Sequence, residues 1–305
     1  MGKVIIINKI KEETDEIFRP NAWYGFAAVV KQYSRWPFPL PFVVPHGVDL
    51  SKKTIWLNEI ENELPAIFYF PIWRRLAYKN ASKKRKILIK GCSPYLLINK
   101  SKIKRKLNTL VVFPTHSTHH ITVRCNDAKY VNQLVKLKKN FSDIAVCLYW
   151  RDIELGRNKE YEKHNFKVIS AGHMFSSKFI FSLHDIFSEF EFFHSNGFGS
   201  HLFYGCATGC KLLPLKIYKE QKNGTKTAKN RDISEPDQKI ESKCLKIFCS
   251  KNFKKQHRFA LSVLGSKYKS TPFQMFIIIF KTSLINKFFF KKALPHYFQN
   301  LFSKK

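Results

Sequence analysis

The sequence has no apolar run long enough to cross a lipid bilayer. The best candidate, residues 275–280, is stopped by Lys281, whereas a membrane-spanning helix needs about 20 apolar residues. Near the N-terminus, only the four apolar residues 4–7 precede renewed charge, which is too few for the core of a signal peptide. We therefore expect a cytoplasmic protein that does not span the membrane, with a buried first strand at 4–7.

The cysteines are spaced too irregularly to form a disulfide framework. There are seven cysteines, an odd number with no repeated spacing, so we expect a reducing, cytosolic environment. Cys206 and Cys210 would lie one turn apart on a helix. Because a zinc site normally needs four ligands at recognisable spacings, we interpret this pair as small packed residues and predict no metal there.

Acidic residues are scarce, since 22 Asp and Glu stand against 54 Lys and Arg, a formal net charge of +32. From Cys244 to the end there are 13 Lys or Arg and no Asp or Glu. Such an excess favours an anionic partner, which is a nucleic acid, a phosphorylated ligand or an acidic membrane. The abundance of Lys, Phe, Ile and Asn is also typical of an AT-rich genome, which raises the Lys content without functional demand.

Short apolar runs alternate with helical patterns along most of the chain. This alternation predicts βαβ units and parallel sheets buried on both faces. With 305 residues and 44% apolar content, the chain can form two domains of ordinary size. The strands are predicted at 66–70 and 86–89, after a Pro-rich passage that ends in a short strand before Pro45, and at 109–113, 144–149, 167–171, 191–194 and 212–217.

We therefore predict an α/β protein with two Rossmann-like domains and a C-terminal helical tail. Residues 1–100 form the first domain and residues 101–218 the second. Residues 219–243 contain almost nothing apolar, which predicts an exposed loop or a disordered insert. Residues 244–305 form the basic helical tail.

Ligands of parallel sheets bind at the carboxyl ends of the strands, so the loops there are the candidates for function. The run SNGFGSH follows one predicted strand and precedes a helix. Its glycines allow a tight turn and close approach to a ligand, and the N–H groups at the helix start attract phosphate. The candidate ligand-binding residues of this loop are Ser195, Asn196, Gly197, Gly199, Ser200 and His201.

Histidines cluster after another predicted strand, in the run FPTHSTHH. His116, His119 and His120 lie within five residues, and imidazoles can bind phosphate oxygens, exchange protons or ligate a metal. A zinc site is disfavoured because no acidic or cysteine partner lies at a suitable spacing.

Two more strands end in polar residues that we expect at the same edge of the sheet. His173 ends the run VISAGH, and Arg151 with Asp152 follows the run IAVCLYW. An arginine at this position can donate two hydrogen bonds to a phosphate. His173 and Arg151 therefore join His119 as predicted ligand-binding residues.

The runs FPTHSTHH, VCLYWRDIELG, VISAGHMF and SNGFGSHLFYGCATGCKLLPL resemble, in that order, a family of bacterial surface-polysaccharide (capsule or lipopolysaccharide) biosynthesis proteins related to GT-B glycosyltransferases. PHGVDL and GCSPYLL in the first half show a weaker likeness. The resemblance implies a GT-B arrangement in which the N-terminal domain binds the acceptor and the second domain holds a nucleotide sugar. His173 or His116 would form the His-containing donor loop, and Ser195, Asn196 and Ser200 the Ser-rich loop.

The resemblance also implies a catalytic base on the N-terminal domain if the enzyme inverts the anomeric centre. His46, in the Pro-His-Gly loop, is the candidate, with Asp49 and Glu59 as alternates, and His116 is a second predicted catalytic residue. No cofactor and no obligatory metal are expected, which agrees with the lack of an Asp-x-Asp motif. The nucleotide sugar is a donor substrate, and the acceptor is a glycan or a lipid-linked glycan.

Two alternatives stay open. The basic charge and 15% aromatic content would suit a nucleic-acid-binding protein, although the aromatics lie in apolar runs and no nucleic-acid-binding motif is legible. The chain could also be an inactive accessory member of the same polysaccharide family.

The C-terminal region predicts an amphipathic basic helix. Its apolar residues recur at helical spacing and its later turns carry lysines. Such a helix either packs on the second domain or places the protein peripherally on the anionic inner face of the bacterial cytoplasmic membrane. The apolar positions are Phe273, Phe276, Ile277, Phe280, Leu284 and Phe288, and the lysines are Lys281, Lys287, Lys291 and Lys292.

Overall fold

The computed structural model describes residues 16–53, 55–81, 86–99, 103–117, 121–124, 127–214, 221–224, 236–286, 291 and 294–295. Its strands are β1 (Phe42–Val43), β2 (Ala66–Tyr69), β3 (Ile87–Lys90), β4 (Lys106–Phe113), β5 (Ile121–Arg124), β6 (Asp143–Cys147), β7 (Lys167–Ile169), β8 (Phe190–Ser195), β9 (Lys211–Leu212) and β10 (Gln221–Gly224). The strand predicted at 4–7 lies outside the described residues.

The helices follow in chain order. They are α1 (Phe26–Ser34), α2 (Leu57–Ile60), α3 (Arg74–Ala81), α4 (Asp127–Leu137), α5 (Trp150–Glu154), α6 (Asn158–Glu162), α7 (Phe179–Glu189), α8 (Ser200–Ala207), α9 (Gln238–Phe248), α10 (Phe253–Val263) and α11 (Pro272–Leu284), with short 3-10 turns at Arg19–Ala22, Pro94–Leu97, Lys138–Asn140 and Ser266–Tyr268. None of the described helices is both long and apolar enough to cross a bilayer.

Two parallel sheets form the framework. The first has the order β1-β2-β3, and the second has the order β7-β6-β4-β8-β9. In the second sheet the chain runs outward from β4 to β7 and then returns to the other side of β4 with β8. The order therefore reverses between β4 and β8, and in doubly wound sheets such a reversal opens a crevice at the carboxyl ends of the strands.

Alternating side chains of the strands divide the core into three layers. Ala66 and Phe68 of β2 belong to the same apolar cluster as Val111 and Phe113 of β4. This central cluster also contains residues of α1, α7 and α8, and it joins the two sheets. The intervening residues of each strand point the other way, into two smaller clusters on the outer faces, as the two-residue period of a strand requires.

The α/β class, the parallel sheets and the helical C-terminal region predicted from the sequence are confirmed. The segment 219–243 differs from the predicted loop, because it contains β10, which pairs antiparallel with β5, and the start of α9. Asp237 caps this helix by accepting a hydrogen bond from the Ile240 N–H at 3.1 Å. A local cap and a partner strand distant in sequence thus order parts of a polar segment.

Helix α11 packs through a face that overlaps only in part with the predicted apolar stripe, of which Phe276 packs against the central cluster. Met275 and Ile279 are fully buried, whereas Phe273, Phe280 and Leu284 are 72%, 44% and 56% exposed. The helix lies against α1 and begins with a capping box of Thr271 and Gln274. Phe288, Lys287 and Lys292 of the predicted amphipathic helix lie outside the described residues.

Candidate functional site

The Pro-His-Gly loop that follows β1 contacts the start of helix α8 in the second half. The Val48 N–H donates a hydrogen bond to Oγ of Ser200 at 2.7 Å. Gly47 has φ +77°, and a Cβ there would lie 2.8 Å from the same Oγ. Only glycine combines this left-handed backbone with such a close approach, so loops from the carboxyl ends of both sheets meet at Ser200.

A cavity of about 270 Å³ lies where these loops meet. One wall comes from the first half and includes His46, Asp49 and Trp56, and the other includes Ser200 and His201 of α8. The remaining lining residues are Tyr24, Phe26, Gly47, Val48, Phe179, Ile180, Leu183 and Tyr204. The lining therefore combines aromatic surface with a few polar groups, which is typical of small-ligand sites.

His46 stands on this wall among aromatic rings. Its ring centroid lies 4.6 Å from that of Trp23 and 5.8 Å from that of Trp56. Nδ1 lies 3.9 Å from Oε1 of Glu59. Burial lowers the pKa of His46 to about 4, because the charged imidazolium loses hydration. The imidazole is therefore neutral at pH 7 and able to accept a proton.

Behind His46 lies a buried group of charged and phenolic side chains. Glu59 is 1% exposed and accepts a hydrogen bond from the Tyr78 hydroxyl at 2.5 Å. Nη1 of Arg74 lies 3.1 Å from Oδ2 of Asp49, and its Nη2 lies 3.9 Å from Oε2 of Glu59. Burial raises the pKa of Glu59 to about 7, against the opposing effects of Tyr78 and Arg74. All three candidates for the base, His46, Asp49 and Glu59, thus lie together.

The first residues of the SNGFGSH loop use their polar groups to hold two neighbouring strands together. The Ser195 hydroxyl is fully buried and donates to the carbonyl of Phe113 at 2.8 Å. Oδ1 of Asn196 accepts from the Thr115 N–H at 2.7 Å. A Cβ on Gly197 would lie 2.2 Å from Oγ1 of Thr115. These residues therefore join β8 to the loop after β4 and fill the crevice at the strand-order reversal.

The later residues of that loop face the cavity. Gly199 has an extended backbone and immediately precedes α8, so Ser200 is the first residue of the helix. His201 stacks on Phe113 at 5.4 Å, and its Nε2 lies 3.0 Å from Oγ of Ser195. Burial, with a smaller effect of His116, lowers the pKa of His201 to about 3. His201 is therefore a neutral imidazole held in a fixed orientation.

His116 lines a smaller cavity of about 80 Å³ that shares His201, Phe179 and Leu183 with the larger one. Its ring packs 4.7 Å from that of Tyr149. The structure therefore brings His116 next to the SNGFGSH loop, as the sequence predicts for loops at one sheet edge. His119 and His120 lie outside the described residues.

The structure places the other predicted ligand-binding residues away from both cavities. Arg151 forms an exposed ion pair with Glu154 at 2.9 Å. His173 is buried, its ring lies 4.1 Å from that of Trp150, and its Nδ1 accepts from the Phe175 N–H at 3.3 Å. Each follows its predicted strand, but neither is among the residues that line the two cavities.

Some residues of the site carry no legible sequence signal. Tyr24 and Trp56 line the larger cavity, and Arg74 and Tyr78 support the acidic pair behind it. These four residues lie in runs with the ordinary composition of amphipathic helices and loops, so only the packed fold identifies them. Asp152, which the sequence places with Arg151 after a predicted strand, is 1% exposed and binds Nη1 of Arg157 at 2.8 Å.

Among the described residues, no group of three or more His, Cys, Asp or Glu side chains is arranged to hold a metal ion. Cys206 and Cys210 are both buried. Sγ of Cys210 donates to the carbonyl of Phe190 at 3.3 Å. Burial raises the pKa of both thiols, which disfavours the thiolate form that metals bind.

No protein-family model matches the chain, and no curated protein does. Among solved structures, a mutant of S. aureus TarM with fondaparinux, alpha-GlcNAc-glycerol and UDP aligns at 13% identity with a TM-score of 0.37, over 79% of this chain and 49% of that one. The pneumococcal O-GlcNAc transferase GtfA with UDP and GlcNAc aligns at 10% identity with a TM-score of 0.38, over 79% of this chain and 51% of that one. A GtfA/B complex aligns at 14% identity with a TM-score of 0.36, over 79% of this chain and 52% of that one.

The chain thus spans about half the length of these solved structures.

Proposed function

We propose that the chain is a glycosyltransferase of GT-B type that acts in bacterial surface-polysaccharide biosynthesis, of capsule or lipopolysaccharide, and transfers a sugar from a nucleotide donor to a glycan acceptor. One observation carries the proposal, which is the cavity formed where loops from the carboxyl ends of both parallel sheets meet. A transferase needs two substrates in contact, and a cavity with one wall from each half supplies a separate surface for each.

The donor side of the proposal rests on the second half. The first residues of α8, Ser200 and His201, line the cavity, and helix starts favour phosphate. His116 in the adjoining cavity is near enough to the same wall to contact another part of the nucleotide. Arg151 and His173 are not assigned to the donor, because they lie outside both cavities.

His46 is proposed as the base on the acceptor side. In a direct displacement, the acceptor oxygen forms a bond to the anomeric carbon while the bond from that carbon to the donor phosphate breaks. The acceptor proton then passes to the base. The imidazole is unprotonated at pH 7, and an ionised Glu59, 3.9 Å from Nδ1, opposes the effect of burial, which lowers the pKa of His46 to about 4 and weakens it as a base.

Nucleotide binding tests the proposal directly. We expect UDP or CMP to raise the melting temperature, since a ligand at a hundred times its dissociation constant adds about 2.7 kcal/mol. Ser200→Ala should weaken the shift, whereas His164→Ala, at a half-buried position in the turn after α6, should leave it unchanged. If no nucleotide shifts the transition and duplex DNA does, the chain is a nucleic-acid-binding protein instead.

Turnover separates an active enzyme from an inactive relative. We expect His46→Gln to reduce sugar transfer, or hydrolysis of the donor, by about a hundredfold or more while the nucleotide shift persists. Full turnover in His46→Gln would refute the role of His46. A protein that binds nucleotide and shows no turnover with a panel of donors would be the accessory member of the family.

We also propose that helix α11 holds the protein peripherally on an anionic membrane. Phe273, Phe280 and Leu284 form an exposed apolar stripe at helical spacing, beside the exposed Lys281. The sequence from Cys244 onward adds lysines and no carboxylates, and each lysine near an anionic leaflet contributes about 1 kcal/mol.

Vesicle sedimentation tests the membrane proposal. We expect salt-sensitive binding to vesicles that contain phosphatidylglycerol, and loss of binding after Phe280→Gln with Leu284→Gln or after deletion of residues 284–305. Leu155→Gln, an equally exposed apolar residue of the second half, is the matched control. Equal binding by the truncated protein, or no preference for anionic lipid, would show that α11 has a structural role only.

A further inference from the structure

Helices α9 and α10 carry lysines and an arginine along their solvent-facing sides. On α9, Lys239, Lys243 and Lys246 are spaced four and three residues apart, so they lie on one face of the helix, and all three are exposed. The opposite side holds the buried Cys244 and Phe248. The exposed face of α9 is therefore a row of positive charge about 10 Å long.

Helix α10 repeats this pattern beside α9. Lys254, Lys255 and Arg258 are exposed, as is Lys251 in the turn before the helix, while Gln256 and Ala260 are buried on the other side. We call these seven cations the basic surface; they are Lys239, Lys243, Lys246, Lys251, Lys254, Lys255 and Arg258.

The two rows belong to one continuous surface. Nζ of Lys243 on α9 lies 6.0 Å from the ring of Phe259 on α10. Within the described parts of the chain, no carboxylate forms an ion pair with any of the seven cations, and Glu241 is the only acidic residue between 238 and 263. The charge is therefore available to an external anion.

The basic surface begins next to the cavity. Asp237, which caps α9, donates its backbone N–H to the carbonyl of Leu50 at 3.1 Å, and its carboxylate lies 3.2 Å from Nζ of Lys52. Leu50 follows the loop that carries His46 and Asp49 on the cavity wall. An extended ligand that lay along the basic surface would thus have one end near the site.

The chemistry of the surface favours an extended polyanion in water rather than a lipid bilayer. No large apolar residue of α9 or α10 is among the strongly exposed ones, in contrast to α11. Charge without apolar surface binds a chain of repeated anionic groups through release of its counterions. It offers nothing to insert below lipid headgroups.

We propose that the basic surface of α9 and α10 binds a polymer with repeated phosphate or carboxylate groups, and that this polymer is the acceptor of the transfer. The role of the polymer as acceptor rests on the proposed function, whereas its binding to the basic surface does not. The surface recognises the polymer by its charge and its extended form.

The test measures binding of fluorescently labelled polyphosphate by anisotropy, at rising salt. We expect binding that weakens steeply with salt, and a loss of about tenfold or more when Lys254, Lys255 and Arg258 are all replaced by Gln. The matched control replaces Lys136, Lys139 and Lys167 by Gln, because these are also exposed but lie on α4, the following turn and the edge strand β7, on the other side of the sheet from α10. It should bind as tightly as the original protein.

Four outcomes would overturn the proposal. No binding of polyphosphate, or an equal loss in the control variant, would refute binding by the basic surface. Tighter binding of duplex DNA than of polyphosphate would refute the assignment of the polymer as acceptor, and binding to anionic vesicles that depends on the same three residues would refute the polymer itself. The last two would assign the surface to nucleic acid or to membrane.

The UDP-induced rise in melting temperature distinguishes this proposal from the proposed function. The triple variant should keep that rise. Loss of polyphosphate binding with an intact UDP effect supports a separate acceptor surface. Polyphosphate binding in a protein that no nucleotide stabilises would refute the transferase and, with it, the assignment of the polymer as acceptor.

Discussion

Replacing Glu59 by Gln should change how stability depends on pH. The carboxyl is 1% exposed, and burial raises its pKa from the ordinary 4.5 to about 7. Between these values the folded protein retains a proton that the unfolded chain releases, so the contribution of Glu59 to stability is largest below pH 4.5 and is lost as the pH rises through 7. Gln resembles the protonated carboxyl and cannot ionise, so the variant lacks this loss.

The size of the effect follows from the two pKa values of Glu59. The pKa values differ by about 2.5 units, and each unit is worth about 1.4 kcal/mol, so the full effect is about 3.5 kcal/mol. His46 has the opposite sign, because burial lowers its pKa from 6.5 to about 4 and the unfolded chain binds the extra proton in that window. The two titrations therefore nearly cancel between about pH 4.5 and 6.5 in the original protein. In Glu59→Gln the contribution of His46 appears alone, and stability rises with pH.

Urea unfolding at about pH 5 and about pH 8 measures this difference. We expect the free energy of unfolding of Glu59→Gln, relative to the original protein, to increase by about 2.5 kcal/mol over that range. Glu154→Gln is the control, because Glu154 is an exposed partner of Arg151 and its replacement should show little pH dependence. A relative stability that stays constant, or that falls as the pH rises, would show that Glu59 is ionised and held by Arg74.

Three further substitutions test contacts of the site. Gly47→Ala should cost about 1–3 kcal/mol more than Gly156→Ala in thermal unfolding. The two glycines have nearly the same φ, +77° and +76°, but only a Cβ on Gly47 would meet Ser200 Oγ, at 2.8 Å. Equal costs would contradict the loop contact. Asp152→Ala should cost about 3 kcal/mol, since it leaves Arg157 and the Ser117 N–H without this carboxylate. Glu154→Ala should cost less than about 1 kcal/mol. Urea unfolding compares the two variants, and a larger loss for Glu154→Ala would refute the ranking. Gly91→Ala would bring a Cβ within 1.9 Å of the Phe68 ring and should cost about 3 kcal/mol, and Phe68→Leu in the same chain should recover part of this loss unless the clash is relieved in another way.

The sequence by itself determined the alternation of strands and helices and the loops that end the strands. A parallel strand buried on both faces must be an almost continuous apolar run, so β2, β4 and β6 are legible without a structure. The polar runs after such strands indicate where loops lie, and this located the Pro-His-Gly and SNGFGSH loops correctly at strand ends. The acid-free composition beyond Cys244 is likewise a property of the chain alone.

The tertiary structure decided which of those polar residues face the cavity. Ser195 and Asn196 bond to the loop after β4 because β8 lies beside β4 in the sheet, and strand order is set by packing of distant segments. The same packing places Glu59 and Arg74 behind His46, and it buries Met275 and Ile279 of α11 while Phe273 and Phe280 stay exposed. Periodicity in a sequence shows that a helix or strand has an apolar face, whereas the choice of which face is buried depends on the surface that the rest of the chain presents to it.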